Sequence, residues 1–314
     1  MNLEIAVLVP CFNESATIAK VVTDFSGALP GCKIFVYDNA STDGTAEIAR
    51  KAGAIVRCEP LRGKGNVVRR MFADVEADVF ILVDGDDTYD ASFAPKLVEM
   101  LINQSLDLVT AARAKESTAA YRRGHKFGNW LLTWLVAALF GNRFSDMLSG
   151  YRVISRRLVK SFPALSTGFE IETEFTVHAL QLRVPLAEVV TPYKERPAGS
   201  VSKLRIFKDG FRIISTIARL LKEERPMYFF GVMSVAFMLL SLSTGLPVVR
   251  EFLRTGLVPR MPTVVLAASL MMLAFLSLTC GLILDTVTKG RIEQKRMRYL
   301  EIPIRLVRSE TSGL

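Results

Sequence analysis

The N-terminal two thirds of the chain alternate between short runs of strand length and longer segments with helical spacing of apolar residues. Ile5 to Val9, Ile34 to Tyr37, Ala54 to Arg57 and Val79 to Val83 are such short runs, and each gives way to a polar stretch. The Val79 to Val83 run stays apolar without alternating, as a strand buried on both faces does. Between the first two runs, Ile18, Val21, Val22 and Phe25 recur at helical spacing within Ser15 to Leu29, and Thr45 to Lys51 reads as a second helix. Strand, helix and strand in that order predict parallel pairing, hence an α/β architecture with a mostly parallel sheet flanked by helices. A further strand is expected over Leu106 to Thr110, and a helix that begins at Glu170, Glu172 and Glu174 and runs through Leu182.

The polar stretches after the strands carry the candidate chemistry, because open α/β sheets collect ligands at the carboxyl ends of their strands. Asp84 and Asp86 follow the Val79 to Val83 strand two residues apart, with Gly85 between them. Two carboxylates so placed suit Mg2+ or Mn2+, which take hard oxygen ligands and complete their shell with substrate phosphates. The competing explanation is an ordinary acidic turn. Asp43 and Gly44 make the amino end of the Thr45 to Lys51 helix a candidate anion site. Arg62, Gly63, Lys64, Gly65 and Asn66 form a small cationic turn suited to close approach to a phosphate.

Six motifs in order extend the picture: Val9-Pro10-Cys11-Phe12-Asn13-Glu14, Tyr37-Asp38-Asn39 through Thr45, Arg62 to Gly65, Asp84-Gly85-Asp86, Ser145 to Arg152, and Arg196 to Lys203. This series resembles the family 2 glycosyltransferases, and within them the polyprenyl-phosphate glycosyltransferases related to dolichol-phosphate mannose synthase. The resemblance implies the GT-A, Rossmann-like nucleotide-sugar-binding fold. It implies nucleotide contacts at Pro10, Asn13, Glu14 and Asp38, further nucleotide-sugar contacts at Lys64, Asp84 and Gly85, and Mg2+ or Mn2+ on Asp84 and, principally, Asp86. Many relatives have Gln two residues after the second acid; here Thr88 stands there, preceded by Asp87. Arg196 and Lys203 take the role of phosphate-facing cations. Asp146 corresponds to an acid beside the reaction centre, acting either as base or as orienter of an acceptor-binding cation, against the simpler reading of a helix cap.

The C-terminal third bounds where such an enzyme works. Residues 227–249 and 263–285 are apolar and each is near the roughly 20 residues that cross a bilayer as a helix. Lys and Arg crowd before the first and after the second, while the connecting loop carries Arg250, Arg254 and Arg260. The positive-inside rule then puts both ends in the cytoplasm. Ile5 to Val9 is too short for a secretory h-region, so the expectation is an integral membrane protein with a cytoplasmic catalytic domain and C-terminus. The expected organisation is a catalytic domain over 1–202, a basic juxtamembrane helix over 203–225, two spans within 226–285 and a tail over 286–314. Residues 126–144, which hold both tryptophans, and 203–225 read as amphipathic interfacial helices. The net charge of +9 belongs with membrane lipids rather than nucleic acid, because the basic residues lie beside the spans. Cys11, Cys32, Cys58 and Cys280 show no metal spacing and read as small buried apolar residues without disulfides.

The expected reaction is transfer of one sugar from a UDP- or GDP-sugar to an undecaprenyl or dolichyl phosphate, with inversion. Clamps for the phosphates are sought in Arg113, Arg122 or Arg123, Arg152, Arg196 and Lys203. Glu170 or Glu172 either touches a donor hydroxyl or serves as the usual acidic helix start. His178 is expected to be packed, and Arg69 and Arg70 to be solvated. A processive polysaccharide synthase is the alternative enzyme, weakened by the lack of a Gln-x-x-Arg-Trp motif. Two spans would line a polymer channel only in a homo-oligomer. A nucleotide-binding membrane scaffold is the non-catalytic alternative, for which the Asp84 and Asp86 pair would have no use.

Overall fold

A computed structural model describes residues 3–114, 146–194 and 222–303. The amphipathic segment 126–144, nearly all of 203–225, and the candidate residues Arg122, Arg123, Arg196 and Lys203 lie outside the described residues. The chain divides into two compact units, one formed by residues 1–210 with 295–314 and the other by 211–294.

In the first unit β1 (Ile5–Cys11), α1 (Ile18–Ala28), β2 (Lys33–Asp38), α2 (Thr45–Lys51), β3 (Ile55–Cys58), α3 (Lys64–Asp74) and β4 (Val79–Leu82) follow one another. They are succeeded by α4 (Ala94–Asn103), β5 (Leu108–Arg113), β6 (Arg152–Ser155), α5 (Arg156–Ser161), α6 (Ile171–Leu182) and β7 (Leu186–Thr191). The seven strands are ordered β3-β2-β1-β4-β6-β5-β7. β1, β2, β3 and β4 pair in parallel, as do β5 and β7, while β6 runs antiparallel to both β4 and β5.

This register sets the site. Cys11 pairs with Asp38 and Leu8 with Leu82, so β1, β2 and β4 end along one edge. Because β6 is antiparallel, it starts at that edge, with Arg152 opposite Leu82 on one side and Thr110 on the other. β5 therefore delivers Arg113 to the same edge. Every residue of β4 is buried, which accounts for its unbroken apolar run.

Several elements differ from the sequence expectation. β5 begins at Leu108, two residues late, because the buried Asp107 carboxylate is held by Ser155 Oγ, by both arms of Arg157 and by Tyr299 Oη. β3 lies at the sheet edge and is mostly exposed, so its boundary was weakly specified. Of the four cysteines, all free, Cys11 alone is buried. Cys32 is half-buried, Cys58 is exposed at the end of edge strand β3, and Cys280 is exposed on an outward face of an apolar helix. His178 is buried in α6 beside Ser161, and Arg69 and Arg70 are exposed, both as expected.

The second unit holds α7 (Pro226–Thr255) and most of α8 (Met261–Glu301), 30 and 41 residues long, whose most apolar 18-residue stretches have mean hydropathy 2.0 and 2.2. Both are long and apolar enough to cross a membrane. Small residues bring them together: Ser241 Oγ donates to Ala267 O at 2.7 Å, and a Cβ on Gly281 would lie 3.1 Å from Phe230 Cβ. Glu223 O accepts from Thr288 Oγ1 and from Arg291 at the basic end of the pair. Leu, Val, Met and Phe side chains cover the outward surface, as a lipid-facing hairpin would have them.

Candidate active site

The loop after β1 is clamped to the loop after β2. Asn13 N donates to Ser41 Oγ, Thr42 N to Asn13 Oδ1, Glu14 N to Thr45 Oγ1 and Ser15 N to Asp43 Oδ2, all within 2.8–3.0 Å. Asp43 also accepts from Thr45 N. Against the cost of partial burial, these hydrogen bonds from Thr45 and Ser15 bring Asp43 down to about 2. The first N–H of α2 is thus already taken by an internal carboxylate, so this helix end is not the anion site expected of it. Asp38 is buried; its Oδ2 accepts from Ser41 N, while Oδ1 has no hydrogen-bond partner among the described residues. Asn39, a member of the second motif, donates from its amide nitrogen to Glu59 O and Leu61 O and accepts from Gly63 N through its oxygen. It thereby fixes the turn into α3.

That turn corrects a second expectation. Gly63 and Gly65 do not leave room for a phosphate: a Cβ on either would lie 2.1 Å from the carbonyl oxygen of Thr167 or Ser166, respectively. The glycines admit the 166–167 backbone, which is braced from behind by Glu174 accepting from Leu165 N and Ser166 N. The Lys64 side chain is mostly covered, and its Nζ donates to Asp84 Oδ1 at 2.5 Å and to Glu172 Oε1. Burial works against the ammonium, but Asp84 and Glu172 outweigh it and hold Lys64 well above the usual lysine range. Of the two α6 acids, Glu172 is therefore the one aimed at the site, and Glu174 is a loop brace.

Asp84 sits at the end of β4 with its Oδ2 where a Cβ on Gly150 would be, 2.2 Å away. Gly85 is a second forced glycine, since a Cβ there would meet Glu14 Oε2 at 2.4 Å and Cys11 Sγ at 2.6 Å. Burial, then the carboxylates of Glu14, Asp38 and Asp84, push the Cys11 thiol well up, so it is inert. Asp86 is buried, and Thr88 donates to its Oδ1 from Oγ1 at 2.6 Å and from N at 3.3 Å. Thr88 thus orients Asp86. Asp87 turns away, at φ 56°, to Lys20 on α1. No third His, Cys, Asp or Glu groups with these acids as a ready-made cage among the described residues.

Arg113 meets Asp146 across the edge, and the Arg113 ring-stacking partner is Tyr193, 5.4 Å from guanidinium to centroid. The Asp146 amide is itself held by Glu188 Oε1. Burial opposes the Asp146 charge, but the Arg113 guanidinium holds the carboxyl below its ordinary value. Arg152 differs from the expected phosphate clamp. It is 2 % exposed and spends Nε and Nη2 on Ser149 O and Met147 O, its guanidinium lying over Phe175, so it braces the loop that carries Asp146. The site is thus a strip of carboxylates, Glu14, Asp38, Asp84, Asp86 and Glu172, with Arg113 and Asp146 at one end. Within it, Asp84 and Asp86 are the pair whose hard oxygens suit a divalent cation.

Known proteins resemble this chain in sequence and fold. The profile of "Glycosyl transferase family 2" matches residues 6–161. Glycosyltransferase AglJ of Haloferax volcanii is 33% identical over 300 residues, 95% of this chain and 98% of its own. The dolichyl-phosphate hexose transferase of the same organism is 31% identical over 223 residues, 71% of this chain and 96% of its own. Among solved structures, glucosyl-3-phosphoglycerate synthase from Mycobacterium tuberculosis, in complex with Mn2+, uridine diphosphate and glucosyl-3-phosphoglycerate, superposes with a TM-score of 0.58 at 27% identity, covering 70% of this chain and 80% of that one.

Proposed function

Because the chain belongs to glycosyl transferase family 2, we propose that it transfers one sugar from a UDP- or GDP-sugar to a membrane polyprenyl phosphate, undecaprenyl or dolichyl. The observation that carries this reading is the union in one chain of a carboxylate strip at a GT-A sheet edge with two helices long and apolar enough to span a bilayer. The named dolichyl-phosphate hexose transferase relative supports the acceptor class. The UDP complex of the structural neighbour supports a nucleotide-sugar donor.

On this reading Pro10, Asn13, Glu14 and Asp38 receive the nucleoside, the unpartnered buried Asp38 Oδ1 being an acceptor for a base N–H. Lys64, Asp84 and Gly85 face the sugar diphosphate. Asp84 and Asp86 are the ligands of Mg2+ or Mn2+. The donor set fits: two hard carboxylates, one buried and pre-oriented by Thr88, in surroundings with several further acids. A bound divalent ion supplies neutralisation of the departing diphosphate. The acceptor phosphate, with a second pKa of roughly 6, is largely a dianion at neutral pH and needs no base to attack. Arg113, with Arg196 and Lys203 of the last motif, offsets the repulsion between acceptor and donor phosphates, and Asp146 sets the direction of the Arg113 fork. Attack forms the sugar C1 to phosphate oxygen bond as the C1 to diphosphate oxygen bond breaks, inverting the anomeric carbon. On this reading the basic sequence of 203–225 suits an anionic headgroup layer, and the catalytic domain and C-terminus face the cytoplasm.

The test is incubation of the purified chain in proteoliposomes with labelled UDP- and GDP-sugars and either undecaprenyl or dolichyl phosphate. The expected product is a lipid carrying one sugar. A polymer would establish a processive synthase instead, and the absence of any product with every donor would overturn the enzymatic reading.

A further inference from the structure

Lys64 stands where a metal would have to reach Asp84. Its ammonium holds Asp84 Oδ1 at 2.5 Å and Glu172 Oε1, while the other Asp84 oxygen is tucked against Gly150. Both side chains of the Lys64 and Glu172 pair are close to fully buried, at 9% and 10% exposure. The backbone of Lys64 cannot retreat, because Gly63 and Gly65 are pinned under Ser166 and Thr167 and Gly65 N donates to Thr167 O at 3.1 Å. The side chain can still pivot about Glu172. Leaving Glu172 altogether would strand a buried carboxylate, which is costly. Leaving Asp84, which is 28% exposed in its side chain, is cheaper if another anion takes its place.

We propose that Lys64 is a tethered counter-ion that occupies Asp84 until a nucleoside diphosphate arrives, so that the divalent cation and the donor bind cooperatively. The proposal rests on the reading of Asp84 and Asp86 as metal ligands given above. Without donor, ammonium and metal compete for Asp84 Oδ1 and repel each other. With donor, the diphosphate draws the ammonium off Asp84 while Glu172 keeps it tethered, and the carboxylate becomes free for the metal. By linkage, the factor by which diphosphate tightens metal binding equals the factor by which metal tightens diphosphate binding.

The experiment measures Mn2+ binding to the full chain in detergent by the free-Mn2+ electron paramagnetic resonance signal, with and without UDP and, in parallel, GDP. In the wild type, one of the two nucleotides tightens Mn2+ binding by at least about tenfold. In Lys64→Met, Mn2+ alone binds at least about tenfold tighter than in the wild type, and most of the nucleotide effect is gone. Removing a positive charge would by itself strengthen cation binding, so the deciding variant is Lys64→Met with Glu172→Gln. It restores the net charge of the site and leaves no buried carboxylate without its partner, which protects the fold. Tighter nucleotide-free Mn2+ binding in the double variant supports competition for Asp84. Wild-type affinity there, with the nucleotide effect intact, overturns it. Asp86→Asn separates the two levels: if Mn2+ binds equally well in that variant with nucleotide present, the metal reading fails. If Asp86→Asn abolishes binding but the Lys64 variants behave as wild type, the counter-ion proposal alone fails.

Discussion

Arg113 grips Asp146 with a parallel fork, Nε to Oδ2 at 2.6 Å and Nη2 to Oδ1 at 2.7 Å, and adds its own backbone N–H to Oδ2 at 3.2 Å. A carboxylate so engaged is held ionised by its partner and is a poor base. Its evident work is to hold the guanidinium plane in one orientation at the end of β5.

Arg113→Lys keeps the charge but loses the fork, and transfer should fall by at least about tenfold. Asp146→Asn frees the guanidinium and should lower kcat by about 10²–10³. The wild-type rate should rise through about pH 6, where the acceptor phosphate loses its second proton, and then level. A rate in Asp146→Asn rescued by raising the pH would show that Asp146 takes a proton.

Gly65→Ala places a methyl against Ser166 O, where the gap to a Cβ is 2.1 Å. It should cost about 1–3 kcal/mol and lower the melting midpoint in detergent. Gly27→Ala, in α1 with nothing within 4 Å of its Cβ, should instead stabilise by about 0.5–1 kcal/mol. Equal effects of the two would contradict the packing described for the turn into α3.

His178 is pushed down to about 3 by burial, with Lys295 adding to the effect, and Ser161 is its hydrogen-bond partner. It is neutral when folded and protonates near 6.5 when unfolded. The folded pKa is depressed, so the unfolded chain binds more protons between about 6.5 and 3 and stability falls as pH drops through that window. The slope from this residue is up to ~1.4 kcal/mol per pH unit. His178→Gln should flatten the dependence of the urea midpoint between pH 7 and pH 5; an unchanged slope would assign it to other groups.

Much of this was legible in the sequence because buried parallel strands leave an unambiguous trace. The apolar run of β4 located Asp84 and Asp86, and the β1 and β2 motifs located Asn13, Glu14 and Asp38. Antiparallel β6 was missed because it is four residues long and its polarity comes from Arg152, a buried arginine that no periodicity marks. The Lys64 to Glu172 pair joins residues 108 apart, and neither flank signals the other. The Gly63 and Gly65 pair was read correctly as demanding close approach, but the approaching group is protein backbone, which spacing cannot distinguish from a phosphate. Glu170, Glu172 and Glu174 looked alike in sequence, and only helix phase separates the site-facing Glu172 from the loop-bracing Glu174.

The central claim is that this glycosyltransferase moves a sugar with a divalent ion held by Asp84 and Asp86. The most direct measurement is the initial rate of sugar transfer to polyprenyl phosphate in proteoliposomes, titrated with Mn2+ after chelation, for wild type and Asp86→Asn. The account predicts a wild-type rate that vanishes with chelator and saturates with Mn2+, and a variant rate lower by at least about 10³, since an amide cannot neutralise the ion as a carboxylate does. Metal-independent turnover of the wild type, or wild-type turnover of Asp86→Asn, would contradict it.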